Sequence, residues 1–242
     1  MFIKLTKEIK FPDPELADSL GLLCYGGDLS SERLLLAYKS GIFPWYDDMS
    51  FDILWWSPDP RFVVYPEEVI FSKSMRKILR KKIFTITIDK CFRDVITQCA
   101  IVHKKNDRIT WITKDMIEAY CELHRLGYAH SVESWLEDKL VGGLYGVSIG
   151  KIFFGESMFT KVDNASKAAF LTLVKILIKK DFKLIDSQVH TNHLESLGGK
   201  NIPRSVYLKT LKKLISYDTY IGSWSDWINI LNNEEYNEKG ST

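Results

Sequence analysis

The sequence predicts a mixed α/β (α+β) protein built in two unequal domains. Three observations carry this. The first 60 or so residues are broken up by glycine and proline, among them Pro12, Pro14, Gly26, Gly27, Gly41, Pro44, Pro58 and Pro60. Beyond residue 61 the apolar residues alternate between helical and strand spacing. One nearly all-apolar helix then precedes a last apolar strand.

Residues 1–61 therefore form a small N-terminal domain, residues 62–231 the main domain, and the polar residues 232–242 a frayed tail. In the small domain a short helix fits 31–39, capped by Asp28 or Ser30 and ended by Gly41. The stretch 55–61, rich in tryptophan and proline, reads as a rigid junction. In the main domain a basic helix fits 72–82, a strand 84–88 and a helix 91–102. A further helix covers 114–126, with Thr113 as its cap and Gly127 beyond its end. Strands follow at 129–136, 139–147 and 151–157, joined by turns at Glu137-Asp138 and 148–150. The apolar helix is 165–178, capped by Asp163 or Asn164, and the last strand is 182–189. Alanines at 165, 168 and 169 let that helix lie close to a sheet. Helices, an antiparallel meander, a buried helix and a strand returning beside the meander is the order of a GNAT-like acyltransferase domain.

Composition narrows the function. In 242 residues, 45% are hydrophobic and 26% charged, enough for a real core. A net charge of +2 predicts no polyanionic partner by itself, so any nucleic-acid role rests on local clustering. No apolar run reaches 18 residues and the start lacks a signal peptide's apolar segment, so no membrane partner is expected. Cys24, Cys91, Cys99 and Cys121 are scattered without metal-ligand spacing and read as reduced, buried thiols. No metal is expected.

Two carboxylates stand out. Asp186 and Gln188 sit two apart on an apolar strand, where alternation puts them on one face. A carboxylate there is either at a capped strand end or hydrogen-bonded at a cleft. Glu156 interrupts the apolar run of 152–159 in the same way. Two such carboxylates on neighbouring strands point to one shared site. On the basic helix, Lys73, Arg76, Lys77 and Arg80 share a face at spacings of three and four, with Lys104, Lys105 and Arg108 nearby. That face is either solvated or a phosphate-backbone surface. Trp45, Trp55, Trp56, Trp111 and Tyr120 are core residues or the walls of an apolar pocket.

At these residues the chain resembles the leucyl/phenylalanyl-tRNA–protein transferase family. The matching stretches are GGDLS (26–30), GIFPW (41–45), WWSPDPR (55–61), TWIT (110–113), LVGGLYGV (140–147), FFGESMF (153–159), NASKAA (164–169), LIDSQV (184–189), HLESLGG (193–199) and IPR (202–204). They come in the family's order and span most of residues 11–207. The resemblance implies a small N-terminal α+β domain ahead of a GNAT-like domain. It implies a cytoplasmic enzyme that moves Leu, and less readily Phe or Met, from aminoacyl-tRNA to proteins beginning with Arg or Lys, creating an N-end-rule degradation signal; a monomer is expected, since nothing in the sequence demands more. By the same resemblance, Asp186 and Gln188 serve the peptide-bond-forming step and Glu156 holds the acceptor's first residue. Trp45, Trp111, Tyr120, Leu144, Phe153 and Ile185 line the amino-acid pocket, and Lys73, Arg76, Lys77 and Arg80 take the tRNA acceptor stem. Leu144 stands where the family pattern has methionine, a tolerable swap of volume. The acidic loop 46–53 departs from the pattern.

The chemistry suits these residues. The aminoacyl ester is already activated, so no cofactor is expected. The enzyme must align amine and ester, accept the amine's proton and stabilise the oxyanion. Gln188 is no base, yet its amide oxygen can orient an amine N–H. Asp186 either polarises that glutamine or binds an amino group, and a hydroxyl of the terminal ribose can share the proton transfer. Two rivals compete. An acetyl-CoA-dependent acetyltransferase needs a glycine-rich pyrophosphate loop before the buried helix, and residues 158–164 contain no glycine. A non-catalytic RNA-binding protein accounts for the basic helix but not for the buried carboxylates.

Overall fold

A computed structural model describes residues 3–46, 50, 52–107 and 110–231. The expected frayed tail lies outside the described residues, as does Arg108. The strands are β1 (Ile3–Leu5), β2 (Leu22–Gly26), β3 (Phe43–Pro44), β4 (Leu54–Trp56), β5 (Arg61–Val64), β6 (Thr85–Ile88), β7 (Ala129–Leu136), β8 (Lys139–Ile149), β9 (Ile152–Thr160), β10 (Leu184–Asp186) and β11 (Lys200–Ile202). The helices are α1 (Ser31–Lys39), α2 (Lys73–Arg80), α3 (Phe92–Asp107), α4 (Lys114–Arg125), α5 (Ala165–Lys179), α6 (Asn192–Glu195) and α7 (Arg204–Leu214).

A four-stranded sheet, β1-β2-β4-β3, makes the N-terminal region. A seven-stranded sheet, β11-β5-β10-β9-β8-β7-β6, makes the rest. The antiparallel meander β7-β8-β9 forms as expected, and α5 follows it. Strand β10 then returns parallel to β9. This is the GNAT-like order read from the sequence.

The caps obey local chemistry. Ser30, rather than Asp28, accepts from the Arg33 amide at the start of α1, and Thr113 accepts from Met116 at the start of α4. Asn164 opens α5 in a left-handed conformation with no side-chain cap. Helix α5 lies against β8 where Gly142 leaves room. A Cβ there would come within 2.6 Å of the Ala165 Cβ, so small residues on both sides set the approach.

Strands β1 to β5 and β11, and helices α6 and α7, were not anticipated. The strands have only two to five residues, which gives little periodicity to read. The expected junction ends inside the main sheet, because Arg61 opens β5. The two sheets also share a core. Leu34, Tyr38 and Trp55 pack in one buried cluster with Tyr120, Phe154 and Tyr207. A second cluster sits between α5 and the sheet and holds Leu144, Phe153, Phe170 and Ile185. Of the cysteines, Cys24 and Cys99 are buried, whereas Cys91 and Cys121 are only half-buried. Among the described residues no helix is long and apolar enough to cross a membrane.

Candidate active site

The site forms where two strands part. Strands β9 and β10 pair in parallel over Leu184–Asp186 and Ile152–Phe154, and the ladder ends there. Beyond it β9 continues beside β8 with a break in register. Tyr145 pairs with Ser157 and Gly146 with Gly155, which leaves Glu156 as an extra residue without a partner strand position. Such a bulge re-aims a side chain, and bulges are over-represented beside active sites. On the other strand the chain turns out of the sheet, and Gln188 adopts a φ of 57°. The gap between the diverging segments is a cavity of about 310 Å³. Glu156, Ser157 and Met158 line one side of it, and Ser187, Gln188 and Val189 the other.

Three neutral donors hold Glu156. The Tyr38 hydroxyl donates to Oε1 at 2.8 Å, the Tyr120 hydroxyl to Oε2 at 3.1 Å, and the Gln188 side-chain amide to Oε1 at 2.8 Å. The two tyrosine hydroxyls also hydrogen-bond each other. Burial pushes the Glu156 carboxyl up to about 7, and the hydrogen bonds from Tyr38, Tyr120 and Gln188 only partly oppose this. Burial, followed by the charge of Glu156, holds Tyr38 and Tyr120 well above the ordinary phenol value, so they stay protonated donors. Because Gln188 turns its nitrogen to the carboxylate, its amide oxygen is left for another donor.

Asp186 is surrounded differently. It is fully buried and does not line the cavity. Arg61 grips it with two bonds, Nε to Oδ1 at 2.8 Å and Nη2 to Oδ2 at 2.7 Å. The Tyr207 hydroxyl donates to Oδ2 at 2.6 Å, and the Gln188 backbone N–H to Oδ1 at 3.0 Å. The expectation that 186 and 188 share a face needs correcting. The strand ends at Asp186 rather than at residue 189, so alternation does not reach Gln188. Gln188 faces the cavity, while Asp186 points to the Arg61 side.

Of the residues expected in the amino-acid pocket, Trp45, Trp111, Leu144, Phe153 and Ile185 line the cavity. Tyr120 does not. It is fully buried and stands behind Glu156, where its hydroxyl serves that carboxylate. The sequence reading missed Phe43, Phe170 and Met158 on the cavity wall and Tyr38 behind Glu156. The position of Phe43 and Met158 inside the quoted motifs was the available signal. Tyr38 carried none beyond its place on α1. The side chains of Lys73, Arg76, Lys77 and Arg80 lie on α2, and none of them lines the cavity.

Comparison with known proteins gives a consistent answer. The profile of the leucyl/phenylalanyl-tRNA protein transferase family matches residues 63–212, and that of its N-terminal domain matches residues 27–59. A leucyl/phenylalanyl-tRNA–protein transferase of Syntrophobacter fumaroxidans is 53% identical over 91% of this chain and 94% of its own. That of Flavobacterium johnsoniae is 53% identical over 86% of this chain and 98% of its own. Among solved structures, an aminoglycoside acetyltransferase from a soil metagenomic sample aligns at 10% identity with a TM-score of 0.37, over 58% of this chain and 94% of that one. L-PGS from Bacillus licheniformis aligns at 10% identity with a TM-score of 0.39, over 81% and 74%. These structural likenesses are too distant to assign a function. The two family profiles, together with 53% identity across 91% of the chain, lead to one conclusion: the chain belongs to the leucyl/phenylalanyl-tRNA–protein transferases, a family of aminoacyltransferases.

Proposed function

We propose that this enzyme moves leucine, and also phenylalanine and methionine, from aminoacyl-tRNA to proteins that begin with Arg or Lys. It would act in the cytoplasm as a monomer, and its product would be an N-end-rule degradation signal. The observation that carries this reading is a cavity with an apolar floor and, on its wall, a carboxylate held by neutral donors alone among the described residues. Leu144, Phe153, Phe170 and Ile185 suit an unbranched or γ-branched apolar side chain. A pocket of that kind separates Leu, Met and Phe weakly, since each methylene is worth roughly 1–3 kcal/mol. Glu156 suits the guanidinium or ammonium of the acceptor's first residue.

In the reaction the neutral α-amine of the acceptor attacks the ester carbonyl. A C–N bond forms, the C–O bond to the ribose breaks, and the amine's proton ends on the ribose oxygen. The free amide oxygen of Gln188 orients the amine N–H, and Asp186 serves this step through Gln188. No cofactor enters it. The face formed by Lys73, Arg76, Lys77 and Arg80 takes the acceptor-stem phosphates. The reading is tested with leucyl-tRNA and peptides that begin with Arg, Lys or Ala. Transfer to the first two and not to the third is expected; equal transfer to all three would remove Glu156 from its role.

A further inference from the structure

Four donors fill the carboxylate of Asp186. A carboxylate offers about four acceptor positions on its two oxygens. Here Oδ1 takes the Arg61 Nε and the Gln188 backbone N–H, and Oδ2 takes the Arg61 Nη2 and the Tyr207 hydroxyl. All four lie between 2.6 and 3.0 Å. Asp186 and Arg61 are 0% and 1% exposed, so no substrate group reaches either of them.

The same guanidinium extends to the other wall of the cavity. Its Nη1 donates to the Gly41 carbonyl at 3.2 Å, two residues before Phe43, which lines the cavity. Its carbon lies 4.9 Å from the centre of the Phe43 ring and 4.5 Å from that of the Tyr207 ring. Arg61 thus joins three segments that are far apart in the chain: the turn before β3, the end of β10 and helix α7. A planar fork with fixed donor directions is suited to holding such a geometry, and lysine is not.

We propose that Arg61 and Tyr207 are positioning residues for peptide-bond formation: with Asp186 they fix the backbone at Gln188 and its distance from the Phe43 wall, and Asp186 neither touches substrate nor exchanges a proton with it. This rests on the transfer reaction proposed above. It assigns the effect of Asp186 to geometry, through its bond from the Gln188 backbone N–H, which together with the Phe62 N–H donating to the Gln188 carbonyl at 3.2 Å holds a left-handed residue in place. A small displacement of an orienting group is costly in rate without changing which groups ionise.

The test measures kcat and KM for leucyl-tRNA and for an Arg-initiated peptide, from about pH 6 to 9, on the full chain. The variants are Tyr207→Phe, Arg61→Lys, Asp186→Asn and the double variant Tyr207→Phe/Asp186→Asn, each with a thermal melt. Tyr207→Phe keeps the ring and removes one donor, so it stays folded and decides the case even where a charge variant does not fold. It is expected to lower kcat about 3- to 10-fold, with both KM values within about twofold and the shape of the pH profile kept. Arg61→Lys is expected to lower kcat further. The double variant is expected to be no slower than Asp186→Asn alone, because both changes disturb one unit. A wild-type kcat for Tyr207→Phe, or an ionisation lost from the pH profile of Asp186→Asn, would overturn the proposal. Absence of transfer by the wild-type chain would instead overturn the reaction on which it rests.

Discussion

Glu156 and Asp186 lie on neighbouring strands, each after an apolar run, and the protein treats them in opposite ways. Asp186 receives a bidentate arginine and a tyrosine and is sealed from the cavity. Glu156 receives two tyrosines and a glutamine, all neutral, and stands at the cavity. Among the described residues no lysine or arginine pairs with it. A buried ion pair fixes geometry, whereas a carboxylate held by neutral donors still has its charge to offer. The difference separates two similar carboxylates: one is locked into the frame beside the cavity, and the other keeps its charge at the cavity wall, where the proposed acceptor would meet it.

The comparison can be broken or sharpened by substitution. The largest effect is expected at the sealed carboxylate. Asp186→Ala leaves Arg61 as an unpaired buried cation and is expected to cost about 3–5 kcal/mol of stability, read by denaturant unfolding, and to abolish transfer. Near-normal transfer of labelled leucine by this variant would remove Asp186 from the site.

Next comes Glu156→Gln, which keeps the side chain's shape and removes its charge. It is expected to lower kcat/KM for Arg-initiated peptides about 10- to 100-fold, the worth of a charge-assisted hydrogen bond. Its stability should respond in the opposite sense. The folded carboxyl is pushed up to about 7, above its ordinary value. Ionising Glu156 therefore weakens the native state as pH rises from about 4.5 through 7, and the glutamine variant is spared this. Melting temperatures across that range should show the variant gaining on the wild type, with the gain levelling above about pH 7. An equal offset at every pH would contradict this.

Leu144→Ala widens the apolar floor and should shift the preference between phenylalanyl- and leucyl-tRNA about tenfold toward phenylalanine. Competition between the two charged tRNAs measures this, and an unchanged ratio would place the side chain elsewhere. The smallest effect is expected on the basic helix face. Arg76→Ala should weaken tRNA binding a few-fold and reduce the slope of log affinity against log salt by about one, with folding barely changed. An unchanged slope would move the RNA surface away from α2.

Much of this arrangement was legible in the sequence because the elements concerned are long. Helices α1 and α4, the strands of the meander and helix α5 have enough periodicity and clear boundaries to be read directly. Glu156 and Gln188 stood out as polar residues inside apolar runs. What stayed hidden depends on contacts between distant segments or on where a strand stops. Arg61 lies 125 residues from Asp186 in the chain, and nothing local marks the pair. Alternation carried β10 through residue 189, since Val189 is apolar, yet the left-handed turn at Gln188 ended it earlier. Tyr120 read as pocket lining because it is aromatic. Its hydroxyl, paired with that of Tyr38 from the N-terminal region, gives it a different task.

A carboxyl held, among the described residues, by neutral groups alone has a thermodynamic consequence. With its carboxyl pushed up to about 7, Glu156 populates both the protonated and the ionised form near neutral pH in the free enzyme. A cationic side chain bound against it favours the ionised form, so acceptor binding and proton release are linked. Calorimetry in buffers of different ionisation enthalpy should then record a fraction of a proton leaving for each Arg-initiated peptide bound at about pH 7. Close to none should leave at about pH 9, or from the Glu156→Gln variant. The bulge in β9 would thus act as a proton-coupled receptor for the incoming N-terminus, with an occupancy that follows the acidity of its surroundings.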